Sequence, residues 1–360
     1  MSKLKVGVLG ATGMVGQNYI RLLENHPWFE VSYVAASPKS AGKSYKEALA
    51  GRWAMQTPIP RSIENLIVHD VSKVEEANEV SFVFSAVEME KDEIRDIENQ
   101  YAAAGIPVVS NNSAHRWTDN VPMLIPEINH EHINIIPEQQ KAHGWEKGFV
   151  AVKPNCSVQS YLTPIYALLK AGYAIDKMII TTMQAISGAG KTFDTMPEII
   201  DNVIPYIGGE EEKSEKEPLK ILGRIEKGRI KNNDTITISA HCNRVPVTDG
   251  HMACVSVNFK GNIPTVDEIK RIWKEFKSVP QELDLPFSPQ QPIIYEEEDN
   301  RPQTKLDRNN DKAMAVTVGR LRPCNIFDIR FVGLSHNTVR GAAGGGILNA
   351  ELLYKKGYIK

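Results

Sequence analysis

Short apolar runs recur through the N-terminal part of the chain at residues 5–9, 31–36, 66–69, 80–86 and 107–111. Their length, β-branched content and nearly unbroken hydrophobicity predict strands buried on both faces, as in a parallel sheet. Residues 14–25 and 91–104 instead space their apolar positions as a helix does. Strand and helix in alternation predict right-handed βαβ units. Residues 40–61 break the rhythm and read as an insertion or irregular loop.

Beyond Cys156 the pattern changes. Residues 175–186, 235–247, 252–260, 313–321 and 326–335 are long β-branched runs with few helical stretches between them. The last two are joined by Arg322-Pro-Cys-Asn325, which predicts an antiparallel hairpin. A mixed, largely antiparallel sheet is expected, with one face free for helices or a second subunit. Residues 338–354 are predicted as a helix rich in small residues, whose glycines allow close approach to another helix or a cofactor. The fold class expected is α/β in residues 1–155, followed by an α+β domain in 156–336 and a C-terminal helix in 337–360.

Composition narrows the class of protein only slightly. With 42% hydrophobic and 24% charged residues, the 360-residue chain has the balance of an ordinary globular protein and the length for two domains. Lys and Arg number 42 against 44 acids, so neither nucleic acid nor an anionic membrane is indicated as a partner. The apolar runs are too short to span a bilayer. Met1-Ser-Lys-Leu-Lys5 leads directly into an apolar run, leaving no room for a signal peptide. A cytoplasmic protein is therefore expected, with Cys156, Cys242, Cys254 and Cys324 reduced.

The chemistry begins with Gly10-Ala-Thr12-Gly13-Met14-Val15-Gly16, which follows a predicted strand and opens a predicted helix. A glycine turn in that context places a pyrophosphate on a helix N-terminus, although the spacing is GxxGxxG rather than GxGxxG. An NAD site carries Asp or Glu at the end of the second strand, to accept from a ribose hydroxyl. This chain has Ser37-Pro38-Lys39-Ser40 and Lys43 there, which suit a 2′-phosphate, so NADP is expected. Cys156 stands where an apolar run ends at Pro154-Asn155 and a helical pattern begins. A thiol at a helix start faces unpaired N–H groups and the positive end of the dipole, which favour thiolate. His251, at the start of a strand, is a candidate to take its proton, with His115, His241 and His336 as competitors.

Two other motifs are discounted. Ala185-Ile-Ser187-Gly188-Ala-Gly190-Lys191-Thr192 nearly matches a triphosphate loop, but Ala stands where the first glycine belongs. His241-Cys242 and His251-x-x-Cys254 have odd offsets, which on a strand send side chains to opposite faces, so no metal site is expected. Arg244, a cation in an apolar strand, is suited to hold a substrate carboxylate, and Arg116 follows a strand end where ligands of parallel sheets bind. On composition, Glu210-Glu-Glu-Lys213 reads as a solvated helix face.

Taken together, Gly7-Val-Leu-Gly-Ala-Thr-Gly-Met-Val-Gly16, Pro154-Asn-Cys-Ser157, Gln184-Ala-Ile-Ser-Gly-Ala-Gly190, Asn243-Arg244, Asp249-Gly-His251 and His336-Asn-Thr-Val-Arg-Gly-Ala-Ala-Gly344 resemble the aspartate-β-semialdehyde dehydrogenase family. The similarity runs over essentially the whole chain and is greatest to the archaeal and fungal branch. It implies an NADP-dependent oxidoreductase interconverting L-aspartyl 4-phosphate and L-aspartate 4-semialdehyde, on the route to lysine, threonine and methionine. By that resemblance Cys156 is the acyl-accepting nucleophile, His251 the acid/base, and Gln184 orients the acyl group. Arg244 holds the substrate carboxylate, Glu210 its amino group, and Arg116 with Lys213 the phosphate, with Asn155 beside them. Gly10, Thr12, Gly13, Met14, Val15, Ser37, Ser40, Ser85, Ser187, Gly188 and Asn337 contact NADP in a Rossmann-like domain, to which the C-terminal helix returns. The second domain's sheet is implied to build a homodimer or homotetramer. Lys191 is not required by the family pattern. The rival readings are a related acyl-CoA reductase acting on malonyl-CoA, an N-acetylglutamyl-phosphate reductase, and a non-catalytic dinucleotide-binding redox sensor.

Overall fold

In the computed structural model, which describes residues 2–360, six parallel strands form the first sheet. They are Leu4–Leu9 (β1), Phe29–Ala36 (β2), Val68–Asp70 (β3), Phe82–Ser85 (β4), Val108–Ser110 (β5) and Val150–Val152 (β6). Their order is β3-β2-β1-β4-β5-β6, so the direction of chain progression reverses between β1 and β4. That reversal opens a crevice at the carboxyl ends of the strands, the ligand position of such sheets. β1 to β5 fall on the five apolar runs in the sequence, β3 only in part, and β6 adds a sixth strand. The stretch 40–61 is irregular as expected, apart from a short helix, Tyr45–Leu49, closed by a Ser44–Glu47 capping box.

The second sheet contains Ile175–Gln184 (β7), Thr237–Arg244 (β10), His251–Phe259 (β11), Ile293–Glu296 (β12), Val316–Pro323 (β13) and Ile329–Ser335 (β14), with a separate hairpin of Arg224–Glu226 (β8) and Arg229–Lys231 (β9). Its order is β10-β7-β11-β14-β13-β12. The central pairings are antiparallel, including the expected β13–β14 hairpin, while β10 and β12 join the edges in parallel. Burial alternates along β7: Met178, Ile180, Thr182 and Gln184 point inward and Ile179 outward. The inward face packs on helices Leu162–Lys170 and Val266–Glu275, with Trp273 fully buried. No helix among the described residues is long and apolar enough to cross a membrane.

Residues 338–354 do not form one regular helix. Val339–Ala343 is a wide turn in which Gly341 N–H bonds back to His336 O and Ala343 N–H to Thr338 O, and the α-helix starts only at Gly344–Lys355. The widening lets Gly341 pass over Cys156, where an added Cβ would stand 2.8 Å from the cysteine Cβ. The following helix buries Ile347, Leu348, Leu352 and Leu353 in the same cluster as Val6, Val8, Phe82 and Phe84 of the first sheet. Arg340 ties this segment to both domains. Its side chain, 2% exposed, meets Glu127 at 2.8 Å, Met314 O at 2.6 Å and Thr163 Oγ1 at 3.0 Å.

Replacing Arg340 with Leu would leave Glu127 buried without its counter-ion. The expected loss is about 3–5 kcal/mol of folding stability by urea denaturation. A loss below about 1 kcal/mol would show that the pair does not hold the C-terminal segment in place.

Candidate active site

Three strand ends of the second sheet meet at one edge. Because β7 and β10 run parallel in register, Gln184 and Arg244 finish side by side. The antiparallel β11 begins at that edge with His251, paired to Ser335 at the end of β14. Opposite this edge, β6 of the first sheet ends at Val152 and Lys153-Pro154-Asn155 leads into Cys156. The cavity between them has a volume of about 340 Å³ and is lined by Cys156, Asn155, Arg116, Gln184, Glu210, Lys213, Arg244, Val15, Ser187, Gly188 and Asn337.

The helix Glu210–Ile221 holds the cysteine loop. Glu210, Lys213 and Glu217 are spaced three and four residues apart and so share one face. Glu217 is fully buried and accepts from Asn155 N–H at 2.5 Å and from Arg116 at 2.9 Å. Glu210 accepts from Asn155 Nδ2 at 2.9 and 3.0 Å, Gln184 Nε2 at 3.1 Å and Lys213 Nζ at 2.8 Å. Burial alone would raise the Glu210 carboxyl, but Lys213 and these hydrogen bonds outweigh it and hold the group below its ordinary value. The reading of this stretch as a solvated face is therefore corrected. Composition could not reveal it because Glu212 does face outward, while Glu210 and Glu217 turn in. Glu217 was missed, although its seven-residue separation from Glu210 was a signal.

The expectation of a resting thiolate at Cys156 is also overturned. The element that follows is a single 3-10 turn, Ser157–Ser160, ahead of the helix Leu162–Lys170. Its first donor, Ser157 N–H, is already bonded to Asn155 Oδ1 at 2.8 Å. Burial, then the Glu210 carboxylate, push the thiol up to about 11 despite Lys153, Arg116 and Arg244. His251 is fully buried too, and desolvation followed by the Arg244 charge brings its imidazole down to about 3. Ala185 N–H donates to its Nδ1 at 3.1 Å, so the neutral ring carries its proton on Nε2. That Nε2 has no partner within the protein. A Cβ on Gly188 would lie 2.9 Å from it and 3.1 Å from Arg244, so a turn without a side chain covers both. In this tautomer His251 offers a proton to an oxygen. His241 lies on the exposed face of β10, and His115 and His336 bond to Thr118 and Thr338.

A second groove, of about 570 Å³, runs from this cavity along the glycine turn and is lined by Thr12, Gly13, Met14, Val15, Arg52, Ser187, Gly188 and Lys191. Val15, Ser187 and Gly188 belong to both spaces. Gly10, at φ +74°, brings its backbone so close to the next strand that a Cβ would stand 2.2 Å from Ala86 O. Asn337 bridges the domains' edge by donating to Ser187 Oγ at 2.8 Å and accepting from Gly250 N–H at 2.8 Å. Ser37 and Ser40 close a turn after β2 outside the lining of either space. Ser85 is fully buried and its hydroxyl accepts from Asn112, within a network around Glu98. Arg52 and Lys191 are cations on the groove that the sequence did not place there. The turn after Ala185 is a short 3-10 piece, Ile186–Ala189, rather than the start of a helix. His251 and Cys254 fall on opposite faces of β11, as their odd offset requires.

A dinucleotide crevice opening onto a cavity lined by a cysteine defines the class, a two-domain nicotinamide-dependent dehydrogenase. Residues 5–136 match the family model described as semialdehyde dehydrogenase, NAD binding domain, and residues 165–340 match semialdehyde dehydrogenase, dimerisation domain. The aspartate-semialdehyde dehydrogenase of Aspergillus fumigatus is 42% identical over 99% of both chains. That of Methanothermobacter thermautotrophicus is 42% identical over 97% of this chain and 99% of its own. The crystal structure of aspartate semialdehyde dehydrogenase with NADP from Candida albicans superposes with a TM-score of 0.90 at 38% identity, covering 99% of this chain and 100% of that one. The chain belongs to the aspartate-semialdehyde dehydrogenase family.

Gly341→Ala tests the packing over Cys156. Its methyl would stand 2.8 Å from Cys156 Cβ, so kcat should fall by about tenfold or more, which is about 1.4 kcal/mol or more. Affinity for the dinucleotide should stay within about twofold, and an unchanged kcat would mean that the cysteine is not confined by this turn.

Proposed function

We propose that the protein is an NADP-dependent aspartate-semialdehyde dehydrogenase that converts L-aspartyl 4-phosphate to L-aspartate 4-semialdehyde through a thioester on Cys156. The observation that carries this reading is the cavity itself: a half-buried cysteine surrounded by Arg244, Arg116, Lys213 and Glu210. Three cations and one carboxylate complement a substrate with a carboxylate, a phosphate and an ammonium group. Arg244 binds the substrate carboxylate, Glu210 its amino group, and Arg116 with Lys213 the phosphate. Gln184 and Asn155, both bonded to Glu210, fix the acyl group relative to the sulfur.

The dinucleotide fits the groove on the glycine turn. Gly10 allows the close backbone approach, and Arg52 and Lys191 supply positive charge to its phosphates. Ser37, Lys39, Ser40 and Lys43 offer hydroxyls and ammonium groups, with no carboxylate, where a 2′-phosphate belongs. Bound there, NADPH supplies hydride to the thioester carbon.

The Cys156 sulfur attacks the acyl carbonyl, and the phosphate departs with the thiol's proton as hydrogen phosphate. Negative charge on the carbonyl oxygen is met by the His251 Nε2–H, a preorganised donor in a dry site. The same donor serves the tetrahedral species formed on reduction, which collapses to aldehyde and returns the sulfur. The free backbone donors expected at the helix start contribute less, since Ser157 N–H is occupied. The outward face of β7, β10 and β11, where Ile179 is 42% exposed, is the surface through which two or four copies assemble. Four free thiols fit a reducing, cytoplasmic compartment.

The test is a spectrophotometric assay with aspartate semialdehyde, phosphate or arsenate, and NADP or NAD, run beside malonyl-CoA with NADPH. Reduction of NADP should require both semialdehyde and phosphate. Cys156→Ala should lower turnover by roughly four orders of magnitude or more while NADP affinity changes by less than about twofold. A signal with malonyl-CoA alone would replace the substrate with an acyl-CoA.

A further inference from the structure

The helix Glu210–Ile221 carries a second lysine on its inner face, one turn beyond Glu217. Lys220 is 3% exposed and forms no ion pair with a carboxylate among the described residues. Its ammonium donates to Arg116 O at 2.7 Å and to Thr118 O at 2.8 Å. The Arg116 carbonyl has no other donor among the described residues. Burial brings the amine down to about 8, opposed by Asp119 and then Glu217, so it keeps its proton at neutral pH. Charge-assisted bonds in a dry setting are strong, and losing the ammonium would leave the carbonyl buried and unpaired.

Arg116 is thereby held at both ends by neighbouring turns of one helix. Glu217 takes its guanidinium at 2.9 Å, and Lys220, three residues on, takes its main chain. Lys153 O, at 3.0 Å from Nε, and Asn111 O, at 3.2 Å from Nη2, complete the grip. A guanidinium has five N–H donors. Three are committed in this way, which leaves one on each terminal nitrogen for the cavity that Arg116 lines. Such a pair suits two oxygens of one phosphate.

Lys213 stands on the same helix face as Glu217 and Lys220 and lines the same cavity, whereas Lys220 is not part of that lining. Arg116 itself lies in irregular chain after β5, where local bonding is limited to turns such as Thr118 N–H to His115 O at 3.1 Å. The bonds from Glu217 and Lys220 are what tie that chain to the element bearing Lys213. The helix thus sets the spacing between the two cations.

We propose that Lys220 is a positioning residue for the phosphate step: by anchoring the main chain of Arg116 to the helix that carries Lys213, it fixes the geometry of the phosphate subsite without touching the phosphate. The inference rests on the reading of Arg116 and Lys213 as the groups that hold the phosphate.

The test is steady-state kinetics of the full-length enzyme with aspartate semialdehyde, NADP and varied phosphate. Lys220→Met should raise KM for phosphate about tenfold or more, since a displacement on the order of 1 Å loses a bidentate contact. KM for aspartate semialdehyde, and NADP affinity by fluorescence titration, should change by less than about twofold. If Lys220→Met does not fold, Lys220→Gln, which keeps a donor group, should give the same split in milder form. A double-mutant cycle isolates the route: in an Arg116→Met background, Lys220→Met should add less than about twofold, because the two residues act as one unit. The full effect persisting in that background, or equal losses for phosphate, semialdehyde and NADP, would reduce Lys220 to a structural role. A wild-type rate that does not saturate with phosphate would sink the functional reading and this inference with it. Saturation in the wild type, with an unchanged phosphate KM in Lys220→Met, would sink the inference alone.

Discussion

Two carboxylates on one helix, Glu210 and Glu217, fix the position of the Cys156 loop. Glu217 holds the backbone of Asn155 and the guanidinium of Arg116, while Glu210 holds the Asn155 side chain, Gln184 and Lys213. Asn155 in turn satisfies Ser157 N–H, so the conformation of the Cys156 loop is set from both sides. This network also joins the domains, since Arg116 and Asn155 follow strands of the first sheet while Gln184 ends β7 of the second. Charged hydrogen bonds in a dry environment are among the stronger polar contacts available, and removing one partner leaves the other buried and unpaired.

Such a network has an electrostatic cost at the sulfur. Burial and Glu210 raise the Cys156 thiol, and burial and Arg244 lower the His251 imidazole, so both oppose ionisation. The cations Arg244, Arg116 and Lys213 stand on the same wall, placed to meet substrate anions.

Much of the fold was legible because apolar strands buried on both faces leave an unmistakable pattern. β1, β2, β4 and β5 fall on their predicted runs, and the alternation of β7 and β11 separates His251 from Cys254 as periodicity required. The glycine turn and the cysteine loop were visible as breaks between such runs. What could not be read depended on contacts distant in sequence. Glu210 and Glu217 look like any acidic helix until Arg116 and Asn155 meet them. The wide turn at Val339–Ala343 leaves no mark in the sequence, because its small residues have no periodicity that distinguishes it from a regular helix. Ser85 lay at a strand end facing the crevice, but its hydroxyl was drawn into the Glu98 network. The thiolate expectation failed because one 3-10 turn offers few free donors and burial acts the other way.

The central claim is that Cys156 carries the substrate as a thioester. Incubating the enzyme with aspartate semialdehyde and NADP, without phosphate, allows oxidation onto the sulfur but withholds the group that releases it. An acid quench followed by peptide mapping should find an aspartyl acyl group on the Cys156 peptide, formed together with a burst of about one NADPH per active site. A full burst with no adduct on Cys156, or with the adduct on another residue, would contradict the account.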